Sequence, residues 1–237
     1  MPTLRRFTSG TSLDVSGLAQ RWFDAGSPAP EPRLAATVLL VRDGDIGIEV
    51  FMQRRAATMA FAPRMVVFPG GRVDPADLGA EVDEEQVNAV AAAFGVDAGS
   101  ARGVVAAAVR EVEEESGVRL SASELKPRAR WVTPAFEPRR YDTFFFAARL
   151  PDGAEALGTT SETTEDFWGP AASLLAEGSA GTLRLMPPTV VCLEEVATFE
   201  SVDDFLADRP PLDAVEPYLA ETPDGWVIET RLPGRPG

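Results

Sequence analysis

The chain has 237 residues and a formal net charge of −15, which argues against general binding to nucleic acid or anionic membranes, because both partners need a basic surface. It has one cysteine and no histidine, which excludes an internal disulfide, histidine metal ligation and Ser-His-Asp or Cys-His catalysis. Acid–base chemistry must therefore come from carboxylates, lysine, tyrosine or metal-bound water. No apolar run is long enough to span a bilayer and no secretory signal is visible, so we expect a cytoplasmic protein.

The first predicted element is an amphipathic helix within residues 11–24, followed by a proline-rich linker. The apolar face of this helix is expected to dock on the domain or to bind a partner, and a homodimer is one such assembly. The apolar runs 34–41 and 46–53 flank an Asp-Gly turn, a pattern that predicts a β-hairpin. A short strand at 64–68 then leads into the glycine loop Gly70-Gly71.

Two helices are predicted after this loop. Residues 81–94 have apolar positions at helical spacing, and the acidic residues 83–85 suit the start of a helix, with a second metal site as the alternative. Residues 101–116 form the next helix, which has Ser100 as a candidate N-cap, presents an apolar stripe to a core and ends at Gly117.

The second of these helices carries a cluster of carboxylates near its end. Glu111, Glu114 and Glu115 stand at i, i+3 and i+4, so their side chains share one face, away from the apolar stripe. Hard divalent cations such as Mg²⁺ bind oxygen ligands of this kind. The residues alone leave two interpretations open: a metal site, or a solvated acidic helix end, which the unfavourable macrodipole weakens.

Residues 110–118 resemble the second half of the Nudix box, a family motif with the pattern GX5EX7REUXEEXGU, in which U is aliphatic. Its fixed positions are filled by Arg110, Glu111, Val112, Glu114, Glu115, Gly117 and Val118. The resemblance implies the Nudix fold, an α/β (α+β) architecture in which helices sandwich a mixed β-sheet. It also implies a Mg²⁺ or Mn²⁺ cofactor and a small-molecule diphosphate substrate. The implied metal ligands are Glu111, Glu114, Glu115 and a carbonyl of the glycine loop, which we assign to Gly71 rather than Gly70.

The motif is interrupted between its two halves. Phe68-Pro69-Gly70-Gly71 resembles the strand end that enters the box, but Gly71 and Arg110 are 39 positions apart where the pattern has 14, leaving an insertion of about 25 residues. The lone glutamate of the pattern has no counterpart, because Asp77 lies six residues after Gly71 and Arg102 lies eight before Arg110. The role of that glutamate is therefore not carried over.

Nudix enzymes related to coenzyme A diphosphatases carry an insertion at this point, and residues 51–71 resemble their pattern LLTXR(S/A)X3RX3GX3FPGG. Arg55 matches it, whereas Ala60 and Arg64 replace an arginine and a glycine. The resemblance implies hydrolysis of coenzyme A or an acyl-CoA to 3′,5′-ADP and (acyl-)phosphopantetheine. The expected substrate contacts are Arg55 at the signature position, Arg64, which is available near the box to meet the extra phosphate, and Phe68. Two alternatives stay open: a pyrophosphatase for ADP-ribose, dinucleotides or diadenosine polyphosphates, and a non-catalytic Nudix-fold binding or regulatory protein.

Strands predicted at 129–133 and 143–150 enclose a loop with Arg139 and Arg140. Adjacent arginines suit phosphate recognition, because guanidinium binds phosphate through two parallel hydrogen bonds. Surface solubility, or pairing with Asp142, is the alternative.

Many Nudix enzymes place an extra acidic residue in a loop at the next stage of the chain. Glu162 or Glu165 is the candidate here for completing the metal shell or acting as a base, and Glu162 is preferred. The expected catalytic residues are therefore Glu111, Glu114, Arg110, which orients the carboxylates through Glu113 or Glu114, and Glu162.

The remaining predicted elements are helices at 171–176, 185–199 and 201–207 and a last strand at 225–231. The chain is therefore divided into an N-terminal helix and proline-rich linker at 1–32 and a single Nudix domain at 33–237, with an inserted helix within 72–101 and a C-terminal helical extension at 185–237.

Overall fold

The computed structural model describes residues 3–6, 15–58, 62–158 and 163–234. The strands are β1 (Thr3–Arg6), β2 (Arg33–Gly44), β3 (Gly47–Arg55), β4 (Val66–Val67), β5 (Gly70–Arg72), β6 (Lys126–Val132), β7 (Tyr141–Arg149), β8 (Thr163–Pro170), β9 (Ala214–Val215), β10 (Tyr218–Thr222) and β11 (Gly225–Leu232). The helices are α1 (Val15–Asp24), α2 (Glu84–Phe94), α3 (Ala98–Ser116), α4 (Ala171–Ser179), α5 (Pro187–Val196) and α6 (Val202–Ala207), with short 3-10 helices at Asp77–Gly79 and Ala122–Glu124.

A mixed eight-stranded sheet forms the centre of the molecule. Its main path runs β4-β3-β2-β7-β6-β9, while β5 pairs with β2 and β8 pairs with β3. β2 and β3 form the predicted antiparallel hairpin, which is closed by the pair Gly44 and Gly47, and β2 lies parallel to β7. Because parallel and antiparallel pairs share this sheet, the predicted mixed sheet is confirmed.

Helices cover both faces of the sheet. Alternate side chains of β2 enter two separate cores, because successive residues of a strand point to opposite faces. Val38 and Leu40 belong to the core that contains α2 and α3, whereas Leu39 and Val41 belong to the core that contains α4, α5 and α6. The predicted sandwich is therefore confirmed. Among the described residues no single helix is long and apolar enough to cross a membrane, and α2 and α3 reach that composition only together, across a bend of 107°.

The helix α3, which carries the carboxylates, begins earlier than predicted. Its N-cap is Asp97 and not Ser100, since the Asp97 carboxylate accepts a hydrogen bond from the Ser100 backbone N–H at 2.9 Å. The helix ends as predicted at Gly117, whose φ of 71° is a left-handed conformation that glycine adopts without strain. The helix is therefore long enough to run from α2 to the glycine loop.

The acidic residues at the start of α2 serve that helix. The Asp83 carboxylate caps it by accepting hydrogen bonds from the backbone N–H groups of Glu85 and Gln86. Glu84 forms an ion pair with Arg102 on α3. These side chains therefore fix the start of α2 and its contact with α3.

The C-terminal extension is helical only in part: the predicted helices are present as α5 and α6 and the predicted last strand as β11, whereas β9 and β10 were not predicted. After α5 and α6 the chain forms β9, β10 and β11, and β11 lies between β1 and β10 in a three-stranded antiparallel sheet. The rings of Phe23 on α1 and Trp226 on β11 lie 5.2 Å apart, so α1 docks on this sheet. β1 and β11 come from opposite ends of the chain, with Thr3 opposite Leu232. Local sequence patterns do not predict pairing between strands so far apart in sequence.

Candidate active site

The glycine loop lies against β2 in a way that only glycine permits. Residues 70–72 pair with Thr37, Ala36 and Ala35, and Gly70 has a φ of 154°. A Cβ atom on Gly70 would lie 2.7 Å from the Thr37 Cα and closer still to the Ala36 carbonyl oxygen. Any side chain at this position would therefore push the loop away from the sheet.

Two of the three clustered glutamates contact this loop. The Gly70 backbone N–H donates a hydrogen bond to the Glu115 carboxylate at 2.9 Å, and Glu115 is buried. The Glu111 carboxylate lies over Gly71, where a Cβ atom would be 2.9 Å from its Oε2 atom and nearer to its other atoms. The structure therefore brings both halves of the interrupted motif together, with Glu111 and Glu115 at the junction.

Arg110 connects the third glutamate to the same junction. Its Nη1 atom donates hydrogen bonds of 2.9 Å to both Glu111 and Glu114, and its Nη2 atom donates to the Arg72 carbonyl at 3.1 Å. Of the two partners predicted for Arg110, the structure shows Glu114, while Glu113 pairs with Arg119. Arg110 thus holds two carboxylates and the loop backbone at once.

Asp77 is the partner of Arg110 that the sequence did not predict. Its Oδ1 and Oδ2 atoms accept hydrogen bonds from the Arg110 Nε and Nη2 atoms at 3.1 and 2.9 Å. Oδ2 also accepts from the Asp74 backbone N–H at 2.8 Å. Asp77 stands six residues after Gly71, where the pattern has its glutamate, and its carboxylate contacts the arginine of the second half of the motif. The spacing was the available signal, and the shorter carboxylate carries the same charge.

The electrostatics of this cluster suit a divalent cation. Burial raises the pKa of Glu111, Arg110 opposes that increase, and the neighbouring Glu114 and Asp74 add to it. The hydrogen bonds that Arg110 donates to Asp77 raise the pKa of the guanidinium, which therefore stays charged. A bound cation would favour the ionised form of a buried carboxylate surrounded by others, and an all-oxygen donor set is the chemistry that Mg²⁺ and Mn²⁺ prefer.

The three glutamates are nevertheless held apart by other partners. In the described part of the chain, no group of three or more acidic side chains converges in a way that would hold a metal ion. The physical reason lies in the contacts above, since Arg110 holds Glu111 and Glu114 while Glu115 faces the Gly70 N–H. The residues fit a metal in their chemistry, and Arg110 is the group that competes with it.

Arg55 and Arg64, the two predicted substrate arginines that precede the glycine loop, lie next to each other. Arg55 is half-buried at a bulge between β3 and β8, and its carbonyl accepts a hydrogen bond from the Arg64 N–H at 3.2 Å. Arg64 is exposed and has a φ of 61°, a conformation that costs a non-glycine residue roughly 1–2 kcal/mol. The related pattern has glycine at this position, as expected for a backbone with a positive φ.

Two predicted substrate contacts are wrong. Phe68 is only 3% exposed and belongs to the core beneath α4 and α5, so its ring cannot reach a ligand. Arg140 is buried by structural contacts: it donates to the carbonyls of Thr133 and Pro30 and forms an ion pair with Glu216. Burial of this kind depends on distant segments, which is why the sequence did not show it.

The other residues of that loop divide differently. Arg139 is exposed at the surface, so its assignment to a phosphate stays a prediction. Asp142 pairs with Arg130 on β6 through two hydrogen bonds of 2.9 and 2.7 Å, and not with the adjacent arginines. The proposed alternative, a pair within the loop, is therefore wrong.

Of the two candidates for the extra acidic residue, Glu165 lies on β8, where the sequence predicted a loop. Glu162 falls outside the described residues. Glu165 forms an exposed ion pair with Arg54 at 2.8 Å. The next residue, Asp166, points to the opposite face of the sheet, the face covered by α3. There its carboxylate accepts a hydrogen bond from Gln53 at 3.1 Å. Both were missed: Gln53 stands at the threonine position of the LLTXR signature but was not singled out, and Asp166 belongs to no recognised motif.

Comparison with known proteins places this geometry in a family. The NUDIX domain model matches residues 31–187, which is well over half of the chain. A Caenorhabditis elegans protein named "Putative nudix hydrolase 7" is 31% identical over 173 residues, which cover 65% of this chain and 57% of that protein. The chain thus spans less than two thirds of the length of this relative.

Solved structures show the same fold. A NUDIX hydrolase from Alicyclobacillus acidocaldarius superposes with a TM-score of 0.64 at 24% identity, over 78% of this chain and 98% of that one. A MutT protein from Bacillus halodurans superposes with a TM-score of 0.50 at 14% identity, over 86% and 99%. The chain belongs to the Nudix family. Hydrolases of this family generally use divalent metals and act on small-molecule diphosphates.

Proposed function

We propose that the protein hydrolyses the diphosphate linkage of a nucleoside diphosphate-linked substrate, and that coenzyme A or an acyl-CoA is the favoured substrate. The observation that carries this proposal is the junction of the glycine loop and α3. There Glu111 lies over Gly71, Glu115 accepts from the Gly70 N–H and Arg110 joins Glu114 to the loop backbone.

The residues that would hold Mg²⁺ or Mn²⁺ are Glu111, Glu114, Glu115 and the Gly71 carbonyl. When bound, the cation supplies positive charge against the diphosphate and acidifies a water molecule. Water attacks one phosphorus atom, the bond from that atom to the bridging oxygen breaks, and two phosphate monoesters leave. Glu111 and Glu114 are the candidates to accept the proton that the water releases.

Arg110 and Asp77 have a supporting part in this reaction. A guanidinium that donates to two carboxylates restricts the conformations of both, as partners of metal ligands generally do. Because Asp77 anchors the other edge of the guanidinium, Arg110 stays in place if a cation displaces it from Glu114. The ion pair therefore keeps the helix docked on the loop in both states.

Two observations support the coenzyme A branch over other diphosphates. The positive φ of Arg64 at a glycine position supports the register of the signature that precedes the box. The additional chain between Asp77 and Arg110 forms α2, at the place where enzymes of that branch carry an insertion. Arg55 and Arg64 are then the side chains expected to meet the 3′-phosphate of coenzyme A.

A substrate panel tests the proposal. Coenzyme A, ADP-ribose, NADH and diadenosine tetraphosphate are each incubated with the protein and Mg²⁺ or Mn²⁺, and the products are identified by mass spectrometry. Release of 3′,5′-ADP and phosphopantetheine is expected. Cleavage of ADP-ribose without cleavage of coenzyme A would overturn the substrate but keep the reaction. Absence of metal-dependent cleavage of every diphosphate would overturn the reaction and favour a binding protein.

A further inference from the structure

Gln53 is a buried polar residue in the middle of an apolar strand. Its neighbours Phe51 and Met52 are core residues, and Gln53 itself is only 1% exposed. A buried amide costs free energy unless it is hydrogen-bonded, so its partners should explain its presence. Gln53 and Phe51 are two positions apart on β3, so their side chains lie on the same face of the strand. Phe51 belongs to the core that contains α3, and the Gln53 amide therefore points toward the α3 side of the sheet.

The amide of Gln53 bridges α3 and β8. Its Nε2 atom donates to the backbone carbonyl of Glu115 at 3.3 Å and to the Asp166 Oδ1 atom at 3.1 Å. Asp166 is the residue opposite Gln53 in the β3–β8 register. A carboxylate only accepts hydrogen bonds, so Asp166 fixes the amide with its N–H group toward the helix.

The surroundings of Asp166 are built to admit its carboxylate. A Cβ atom on Gly158 would lie 2.9 Å from the Asp166 Oδ1 atom and overlap the rest of the carboxylate. The same loop is attached to the end of α3, because the Leu157 N–H donates to the Ser116 carbonyl at 3.0 Å. The loop, β8 and the end of the helix therefore form one connected unit around Gln53.

These contacts hold Glu115 at both of its ends. The last four carbonyls of a helix have no hydrogen-bond donor within the helix. The Gln53 amide supplies a donor to the carbonyl of Glu115. At the other end, the Glu115 carboxylate accepts from the Gly70 N–H at 2.9 Å. The distance between the last turn of α3 and the glycine loop is thus controlled from β3 and β8 as well as from Arg110.

We propose that Gln53 is a positioning residue for the metal-binding carboxylates, with Asp166 as its anchor. The proposal rests on the proposed function, because it assumes that Glu115 takes part in binding the cation. Gln53 acts through the backbone of Glu115, since its amide donates to that carbonyl and to Asp166. Partners of this kind typically change metal affinity or activity by about 10- to 100-fold when removed.

Gln53→Met is the central test, because methionine fills a similar volume without an amide. Binding of Mn²⁺ alone is measured by calorimetry and by the loss of its free-ion paramagnetic resonance signal. The affinity is expected to fall about 10- to 100-fold relative to wild type, with kcat reduced and the substrate KM little changed at saturating Mn²⁺. Urea unfolding shows whether each variant is folded.

Two substitutions of Asp166 show whether its role depends on accepting the hydrogen bond from Gln53 or on its negative charge. Asp166→Asn keeps an oxygen that can accept from Gln53, so a smaller loss of Mn²⁺ affinity is expected. Asp166→Leu removes the acceptor and is expected to match Gln53→Met. Glu49→Gln is the matched control, because Glu49 lies on the same strand and face and also makes a cross-strand contact, with Arg42. Its Mn²⁺ affinity should equal that of wild type.

The outcomes distinguish this proposal from the proposed function. If wild type binds Mn²⁺ and cleaves a diphosphate while folded Gln53→Met binds Mn²⁺ equally well, the positioning role is wrong and the function stands. A loss of stability without a loss of affinity also overturns the positioning role, because it shows a purely structural residue. If wild type neither binds Mn²⁺ nor cleaves any diphosphate, the proposed function is wrong and the positioning role is lost with it.

Discussion

Two arginines lie among carboxylates on opposite sides of the main sheet. Arg110 on α3 contacts Asp77, Glu111 and Glu114, and its side chain is 27% exposed. Arg128 on β6 lies beneath α5 and α6, where it contacts Glu195 and Asp208, and its side chain is fully buried. The residue types are the same in both clusters, so their composition alone does not distinguish them.

The clusters differ in charge balance and in closure. Arg128 also donates to the backbone carbonyls of Phe205 and Asp208 and stacks on the Phe205 ring at 4.2 Å. It thereby ties β6 to the ends of two helices. Arg110 meets three carboxylates, one of them more than half exposed, so negative charge remains open to solvent. The open and unbalanced cluster is the one that can accept a cation, and the closed one is a structural tie.

The largest effect is expected from a substitution that breaks the closed cluster around Arg128. Arg128→Met should lower the free energy of unfolding by about 3–5 kcal/mol, because Glu195 and Asp208 lose their buried partner. Urea unfolding measures the change. Arg119→Met is the control, since Arg119 also pairs with a glutamate but at the surface, and about 1 kcal/mol or less is expected. Equal losses in the two variants would contradict the role of Arg128.

The open cluster should respond in activity rather than stability. Glu114→Gln is expected to reduce kcat/KM for the diphosphate about 100- to 1,000-fold, because one charged group at the reacting centre is lost, while the urea midpoint stays near that of wild type. The matched control is Glu113→Gln on the same helix, whose native partner Arg119 lies outside the site. Wild-type turnover by Glu114→Gln would remove this residue from the site.

Asp77 tests whether the support of Arg110 matters for turnover. Asp77→Asn is expected to reduce kcat/KM about 10- to 100-fold, because Arg110 loses the charged half of its anchor. Steady-state kinetics in Mn²⁺ measure the effect. Asp77→Glu keeps the charge and should retain more activity than the amide, and the reverse order would show that geometry, not charge, holds Arg110.

The smallest expected effect concerns the strained arginine of the substrate signature. Arg64→Gly should raise the free energy of unfolding by about 1 kcal/mol, since glycine adopts the positive φ without cost. The same change should raise the KM for coenzyme A roughly tenfold, the equivalent of one charged hydrogen bond. Dephospho-coenzyme A is the control substrate, because it lacks the 3′-phosphate. An equal change for both substrates would exclude Arg64 from that phosphate.

The central elements of the fold were predictable because their signals are local. The hairpin of β2 and β3 has apolar runs around an Asp-Gly turn, and α3 has an apolar stripe that ends at Gly117. β8 was missed because its first half, Thr-Thr-Glu-Asp, lacks apolar alternation and gains its structure by pairing with β3. Strands of this kind depend on a partner that lies far away in the chain.

The contacts of the site also divide into those that the sequence predicts and those that only the fold reveals. Glu111 and Gly71 lie together, as the motif implied, although they are 40 positions apart in the chain. Asp77 reaches Arg110 over 33 residues and Gln53 reaches Asp166 over 113, and no spacing rule in one sequence reports the second contact. Phe68 and Arg140 failed as ligand contacts because exposure is a property of the folded chain.

The Asp77–Arg110 pair has a consequence for how this protein can change over generations. The pair closes the start and end of the chain segment between the glycine loop and the glutamates, and within that segment α2 is buried against α3. Lengthening a closed loop is inexpensive, roughly 0.6 kcal/mol for each doubling. Insertions that leave α2 in place, for example at the exposed residues Gly79 and Glu81, should therefore disturb the site little, because the ion pair lies between them and the cluster.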